Sequence, residues 1–217
     1  MGSGCGSNVD VVFAFDATEK NKNSYEKQKQ AAKIMARKLK SLASNVRVGL
    51  VNYGSYAWTT KSLNHNMSTA RLENLIDYLP TVGEARRIDL GLAKATSMFM
   101  PQRSSNSKSR LHHLKAKLLI VFVSGKPSQQ LGALSPKDAA RPLHDLGVQI
   151  VAVGVDEVDH AVLRDLVHDP SSAFNLPQAG EQSMELFTKS MLDKVCKNVR
   201  KGIYRPSYSI SIRMILI

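Results

Sequence analysis

Residues 9–15, Val-Asp-Val-Val-Phe-Ala-Phe, form a nearly unbroken apolar run that ends abruptly in Asp16, Thr18 and Lys20. Such a run suits a strand buried on both faces of a parallel sheet. A different rhythm follows. Ala31, Met35, Leu39 and Leu42 recur at helical spacing within residues 24–42, while Lys29, Lys33, Arg37 and Lys40 make a basic stripe on another face. That stripe reads either as a solvated helix face or as a ridge for polyanions. Strand patterns return at 45–53 and at 57–63, separated by Gly54-Ser55. So short a connection permits a hairpin but not a parallel crossover, which makes 57–63 an antiparallel edge.

The pattern then settles into alternation. A helix is predicted from Ser68 as N-cap to about Leu79, stopped by Pro80, and another over 90–100 with Asp89 as its cap and Pro101 as its stop. Residues 118–124 are an apolar strand, 136–146 a helix, 148–155 a strand, 160–167 a short helix, 172–175 an edge strand and 181–200 the last helix. Six strands interleaved with helices predict an α/β fold: a doubly wound, mostly parallel six-stranded sheet with one antiparallel edge strand and helices on both faces. The domain is expected over 8–200. Residues 1–7 read as a linker or an expression scar, and 201–217, which alternate like a strand that the fold does not need, as a tail of unknown role. Residues 102–117 are polar and basic and read as a surface loop holding the adjacent His112 and His113, a poor metal pair.

Charge and cysteines sharpen this picture. Thirty Lys and Arg against 18 Asp and Glu leave +12, which predicts attraction to polyanions. Only 6% of residues are aromatic, so base-stacking platforms are scarce and nucleic acid is an unfavoured partner. No stretch approaches the ~20 apolar residues of a membrane span. Gly2 raises myristoylation, but Gly6 stands where that motif requires a hydroxyl. The two cysteines, Cys5 and Cys196, bracket the predicted domain. They are either two unrelated thiols of a cytosolic protein or one bridge of an oxidising compartment, and their positions favour the bridge. Asn66-Met67-Ser68 is a glycosylation sequon, which points weakly the same way.

Taken in order, these segments resemble the von Willebrand factor type A (VWA) domain. The resemblance runs over roughly residues 8–199 and is carried by 9–16, 48–53, 89–93, 117–123, 146–155, and 163–167 with Asp169-Pro170. It implies a Rossmann-like sheet and a non-enzymatic adhesion or matrix-assembly role in a secreted, multidomain, extracellular-matrix protein. The implied partner is a collagen-like or other matrix protein or an acidic polysaccharide. Cys5 and Cys196 sit where several secreted members close the domain with a disulfide.

The family commonly holds a divalent cation at the top of the sheet through Asp-x-Ser-x-Ser, a loop Thr and a later Asp, hard oxygen ligands suited to magnesium or manganese. This chain keeps Asp16 and substitutes Thr18, but has Lys20 in place of the second Ser, Arg86 at or near the loop Thr, and Ser124 in place of the later Asp. Fixed positive charge where a cation would sit implies that the usual site is lost. A weak magnesium or manganese site on Asp16, Thr18 and Ser124 with Glu84 or Asp89 is the residual expectation. The same loops should place Lys20, Lys22, Arg86, Arg87 and Lys126 on one rim, ready for an anionic partner unless Lys20 closes an ion pair onto Asp16.

Catalytic patterns fit less well. Asp16, Ser124 and Lys126 resemble the nucleophile, phosphate binder and charge stabiliser of haloacid dehalogenase-type phosphohydrolases, but Thr18 stands where that chemistry needs a second Asp. No glycine-rich turn follows the first strand, and Gly125-Lys126-Pro127 lacks the spacing of a phosphate-binding loop.

Overall fold

A computed structural model describes residues 5–64, 66–100, 115–156, 158–178 and 180–200. Six strands, β1 (Gly6–Asp16), β2 (Ala43–Tyr53), β3 (Ala57–Lys61), β4 (Ala116–Val123), β5 (Gln149–Gly154) and β6 (Ala173–Asn175), join in the order β3-β2-β1-β4-β5-β6. All neighbours are parallel except β2 and β3, which are antiparallel as the short Gly54-Ser55 connection requires. Six helices surround the sheet: α1 (Lys22–Leu42), α2 (Thr69–Asp77), α3 (Ile88–Phe99), α4 (Pro136–Asp145), α5 (His160–Leu166) and α6 (Glu181–Arg200).

Strand alternation divides the core in two. Val9, Val11, Phe13 and Phe15 of β1 join Leu118, Ile120 and Phe122 of β4 under α1 and α6. Val12 and Ala14, with Leu119, Val121 and Val123, face the other way, toward Leu92 of α3, Leu143 of α4 and Leu163 of α5. Both faces of β1 are therefore sealed, which is why its apolar run is continuous. Asp10 is the one charge within it, and Arg47, its register partner on β2, holds it bidentately. Helix α3 lies close against β2. A Cβ at Gly91 would stand 2.7 Å from the ring of Tyr53, so only glycine admits that approach.

Boundaries differ from expectation where tertiary contacts intervene. Strand β1 begins at Gly6, inside the stretch read as a linker, because Cys5 is buried and its N–H donates to the carbonyl of Leu42 at 3.1 Å. Helix α3 starts before Asp89, which is not its cap: Asp89 lies in the first turn, gripped by Arg87. Ser68 does cap α2, its hydroxyl accepting from the N–H of Arg71 at 3.4 Å, and Asn66 ahead of it is exposed. The paired histidines at 112–113, most of the basic loop and the 201–217 tail lie outside the described residues.

Cys5 and Cys196 are joined in a disulfide, with Cα atoms 4.3 Å apart at a sequence separation of 191. In the chain-entropy model a loop of that length destabilises the unfolded chain by about 5 kcal/mol. The bond ties the entry of β1 to the last turns of α6. Replacing both cysteines with serine is expected to lower unfolding free energy by about 2–5 kcal/mol. The measurement is the urea midpoint with and without dithiothreitol, which should fall on reduction in the wild type and stay put in the double variant.

Candidate functional site

The site forms where β1 stops. Beyond Asp16 the backbone turns, and three hydrogen bonds fasten that turn to its neighbours: Ala17 N–H to Tyr53 C=O at 2.8 Å, Val82 N–H to Ala17 C=O at 2.6 Å, and Glu19 N–H to Gly83 C=O at 2.9 Å. The loop between α2 and α3 is thereby pinned against the carboxyl edge of the sheet. Gln28 of α1 adds a donor to the Asp16 carbonyl at 3.1 Å.

Asp16 is 1% exposed, and its carboxylate is surrounded by donors. The Thr18 hydroxyl donates to Oδ1 at 3.0 Å, while the N–H and hydroxyl of Ser124 donate to Oδ2 at 3.0 and 2.7 Å. The fourth neighbour is Arg86, whose Nε lies 3.4 Å from Oδ2. Arg86 is held at its root by Ser128 of the β4–α4 loop: its N–H donates to the Ser128 hydroxyl at 2.8 Å, and Ser128 N–H returns a bond to its carbonyl at 3.0 Å. Its guanidinium lies against Gly125, where a Cβ would come within 3.0 Å of Cζ. Beneath the pair, the Tyr53 hydroxyl donates to the Phe122 carbonyl, and its phenol is pushed well above the usual range by burial, then by the Asp16 charge.

The structure thus brings Asp16, Thr18 and Ser124 together and adds Arg86, not Lys20, as the partner of Asp16. Lys20 turns outward to Glu84 at 3.0 Å, both side chains largely exposed. The geometric reason is reach: the turn after Thr18 carries residue 20 into a short 3-10 helix at the surface, while the pinned loop points residue 86 inward. Arg87 is diverted to Asp89, bonding both its carboxylate oxygens at 2.9 and 2.8 Å. Burial raises the Asp89 pKa, but the Arg87 fork outweighs it and the carboxyl titrates below the usual carboxylate range. Glu84 and Asp89 are therefore both engaged by cations, not free to complete a metal shell. Lys22 and Lys126 are exposed and form no ion pair with a described residue.

The basic stripe of α1 is not an open ridge. Lys29 pairs with Glu26 at 2.6 Å and donates to the Asp77 carbonyl, Lys33 pairs with the Asp77 carboxylate at 2.6 Å, Arg37 with Glu73 at 3.2 Å, and Lys40 donates to the Met67 carbonyl at 3.0 Å. All four reach α2 or the residues just before it. They fasten α2 to α1, which the sequence could not show because α2 is remote along the chain.

The chain matches the family model described as von Willebrand factor type A domain over residues 10–189. The chain belongs to this family. Human matrilin-1 is 26% identical over 163 residues, covering 75% of this chain and 32% of the relative. The mouse collagen alpha-4(VI) chain is 23% identical over 195 residues, covering 88% of this chain and 8% of the relative. The chain thus spans a third or less of these relatives. Proximal thread matrix protein 1 from the mussel byssus superposes with TM-score 0.68 at 21% identity over 89% of this chain and 47% of that one. A further structure of that protein, described as having a zinc occupied MIDAS motif, gives TM-score 0.68 at 20% identity over the same shares.

For a divalent ion at this VWA site, the oxygen donors of Asp16, Thr18 and Ser124 are suitable in kind but the surroundings are not. A guanidinium already faces Oδ2 of Asp16. A divalent ion about 4 Å from that charge would meet repulsion on the order of 8 kcal/mol at a protein surface. Among the described residues no group of three or more His, Cys, Asp or Glu is placed to hold a metal. The residues do not fit the ion. Nor does Asp16 resemble an accessible nucleophile, being enclosed by Thr18, Ser124 and Arg86.

Sequence reasoning missed Asp156, which follows β5 at the same sheet edge with φ 64. It accepts from Ser24 and Lys27 of α1, and these bonds outweigh burial to hold its carboxyl below the usual range. Nothing in the sequence around it signals a left-handed residue, although Asp tolerates that conformation better than most.

Two outcomes follow. Asp16→Ala strands the donors of Ser124 and Thr18 and the Arg86 charge, and is expected to cost about 3 kcal/mol or more in chemical unfolding, whereas Asp16→Asn, which keeps one acceptor oxygen, costs less. Because the folded pKa of Asp156 is depressed below 3.8, its contribution is fully present above that value and is lost as pH falls through the folded pKa. Urea midpoints at successive pH values should fall less steeply below pH 4 for Asp156→Asn than for the wild type.

Proposed function

We propose that this VWA domain is a non-enzymatic module of the extracellular matrix that binds a matrix protein, collagen-like or otherwise, or an acidic polymer through the rim at the carboxyl edge of its sheet. The observation that carries the reading is the sign of that rim. Lys126 stands exposed one residue from the Gly125 against which the partly open Arg86 lies, and Lys22 is exposed at the start of α1, at the sheet edge where the family resemblance places a partner-binding ion. Matrilin-1 and collagen VI chains among the relatives favour a matrix setting, and the fraction of those chains that is matched favours a module within a longer protein. The Cys5–Cys196 bond fits a secreted, oxidising location.

The direct measurement is retention on immobilised collagen and on heparin under a salt gradient. Wild type is expected to elute from its ligand at clearly higher salt than Lys22→Glu/Lys126→Glu, because charge-driven contacts at an exposed rim are screened by salt. Identical elution of the two proteins would remove the rim from the binding surface.

A further inference from the structure

The mismatch between this site and a metal ion has a positive counterpart. We propose that the Arg86 guanidinium is the resident cation of the site, making it metal-independent, and that its outer N–H groups receive a carboxylate from the partner. This deepens the rim-binding reading above and rests on it for the identity of the partner, though not for the chemistry of the site.

Arg86 has one end buried and one end open. Its Nε is shielded from solvent and lies against Asp16, while the side chain as a whole is 22% exposed. Its terminal nitrogens donate to no described residue, its backbone is held by two hydrogen bonds with Ser128, and its guanidinium lies against Gly125. An arginine whose backbone is held and whose Nε already lies against a buried carboxylate has less rotamer freedom left to lose on binding than an exposed one. Its planar fork matches a carboxylate bidentately, and such charge-assisted pairs are stronger than neutral hydrogen bonds. Asp16 is too deeply buried to compete for the outer face, and the alternative cations are taken: Lys20, nearest Asp16 in sequence, by Glu84, and the adjacent Arg87 by Asp89. Lys22 and Lys126 leave the approach positive.

Two independent measurements test this, neither using a matrix partner, so their failure is separable from failure of the functional reading. In the first, the thermal midpoint is recorded in manganese and in EDTA. Wild type is expected to give the same midpoint in both. Arg86→Thr, which replaces the cation with a hydroxyl, is expected to gain a midpoint rise in manganese that EDTA reverses. A wild-type midpoint that rises with manganese overturns the proposal, as does a folded Arg86→Thr that ignores it. In the second, acetate is titrated into isotope-labelled wild type at constant ionic strength, with chloride as the control, and the Nε–H resonance of Arg86 is followed. A saturable shift with acetate alone is expected, weakened at least tenfold when the guanidinium is replaced in Arg86→Lys and the response is read on neighbouring backbone amides. No saturable response in the wild type overturns the carboxylate assignment whether or not any variant folds.

Discussion

A carboxylate buried at the carboxyl end of the central strand is the constraint on which the top of this domain depends. Isolated, the Asp16 charge would be far too costly to keep in the interior. It is retained because every approach to it carries a donor: Thr18 two residues on, Ser124 from β4 and Arg86 from the α2–α3 loop. Each donor comes from a different segment, so satisfying one charge fixes the relative positions of three loops. Ser128 extends the arrangement by holding the arginine's backbone, and Gly125, having no Cβ, leaves room for its guanidinium. Such a buried pair is weak evidence for net stability, since well-packed apolar groups often do as well. Its effect is to define geometry.

That geometry rests on a rigid platform. The two sealed faces of β1 prevent the strand from shifting register, because a slip of one residue would exchange its two hydrophobic sets. The disulfide secures the opposite end of the same strand, so β1 is anchored by a covalent bond at its entry and an ion pair at its exit. Aromatic contacts fill the space directly below the site: Phe15 stacks on Phe122 at 5.5 Å and meets Tyr25 edge-on at 6.5 Å. Asn52 donates to the Tyr25 hydroxyl and to the Pro80 carbonyl, both at 2.9 Å, which carries the order of the core into the α2–α3 loop.

The sheet and its helices were legible because they follow from local pattern: apolar runs for strands sealed on both faces, 3.6-residue periodicity for helices, and a connection too short for anything but a hairpin. The trio Asp16, Thr18 and Ser124 was legible because each lies at or just beyond a strand end. What the pattern did not contain was the direction of the long cations. Lys20 and Arg86 look interchangeable as charges, yet a 3-10 turn carries one outward and a pinned loop turns the other inward. The α1 stripe has the same lesson, since its spacing is that of a solvent-facing row but α2, some thirty residues downstream in the fold, covers it. Contacts made across distant segments decide such cases, and periodicity carries no record of them.

The excess positive charge is also redistributed by these contacts. Nine ion pairs among the described residues engage nine different acidic side chains, half of the eighteen in the chain. The pairs fall heavily on α1 and on the rim loops, where cations such as Lys33, Arg37 and Arg87 are individually neutralised. The +12 surplus therefore does not act as a uniform coat. At the sheet edge Lys22 and Lys126 are exposed and form no ion pair with a described residue, while Arg86 is compensated on its inner side by Asp16. A flexible polyanion would be drawn by the exposed lysines over a broad area, with strong screening by salt. A carboxylate seated on the fixed fork of Arg86 is recognised by direction as well as by charge, and direction is not screened. With the outer fork of Arg86 as the proposed carboxylate seat, such a site would suit one acidic side chain of a partner better than a long charged polymer, even though the same lysines would attract both.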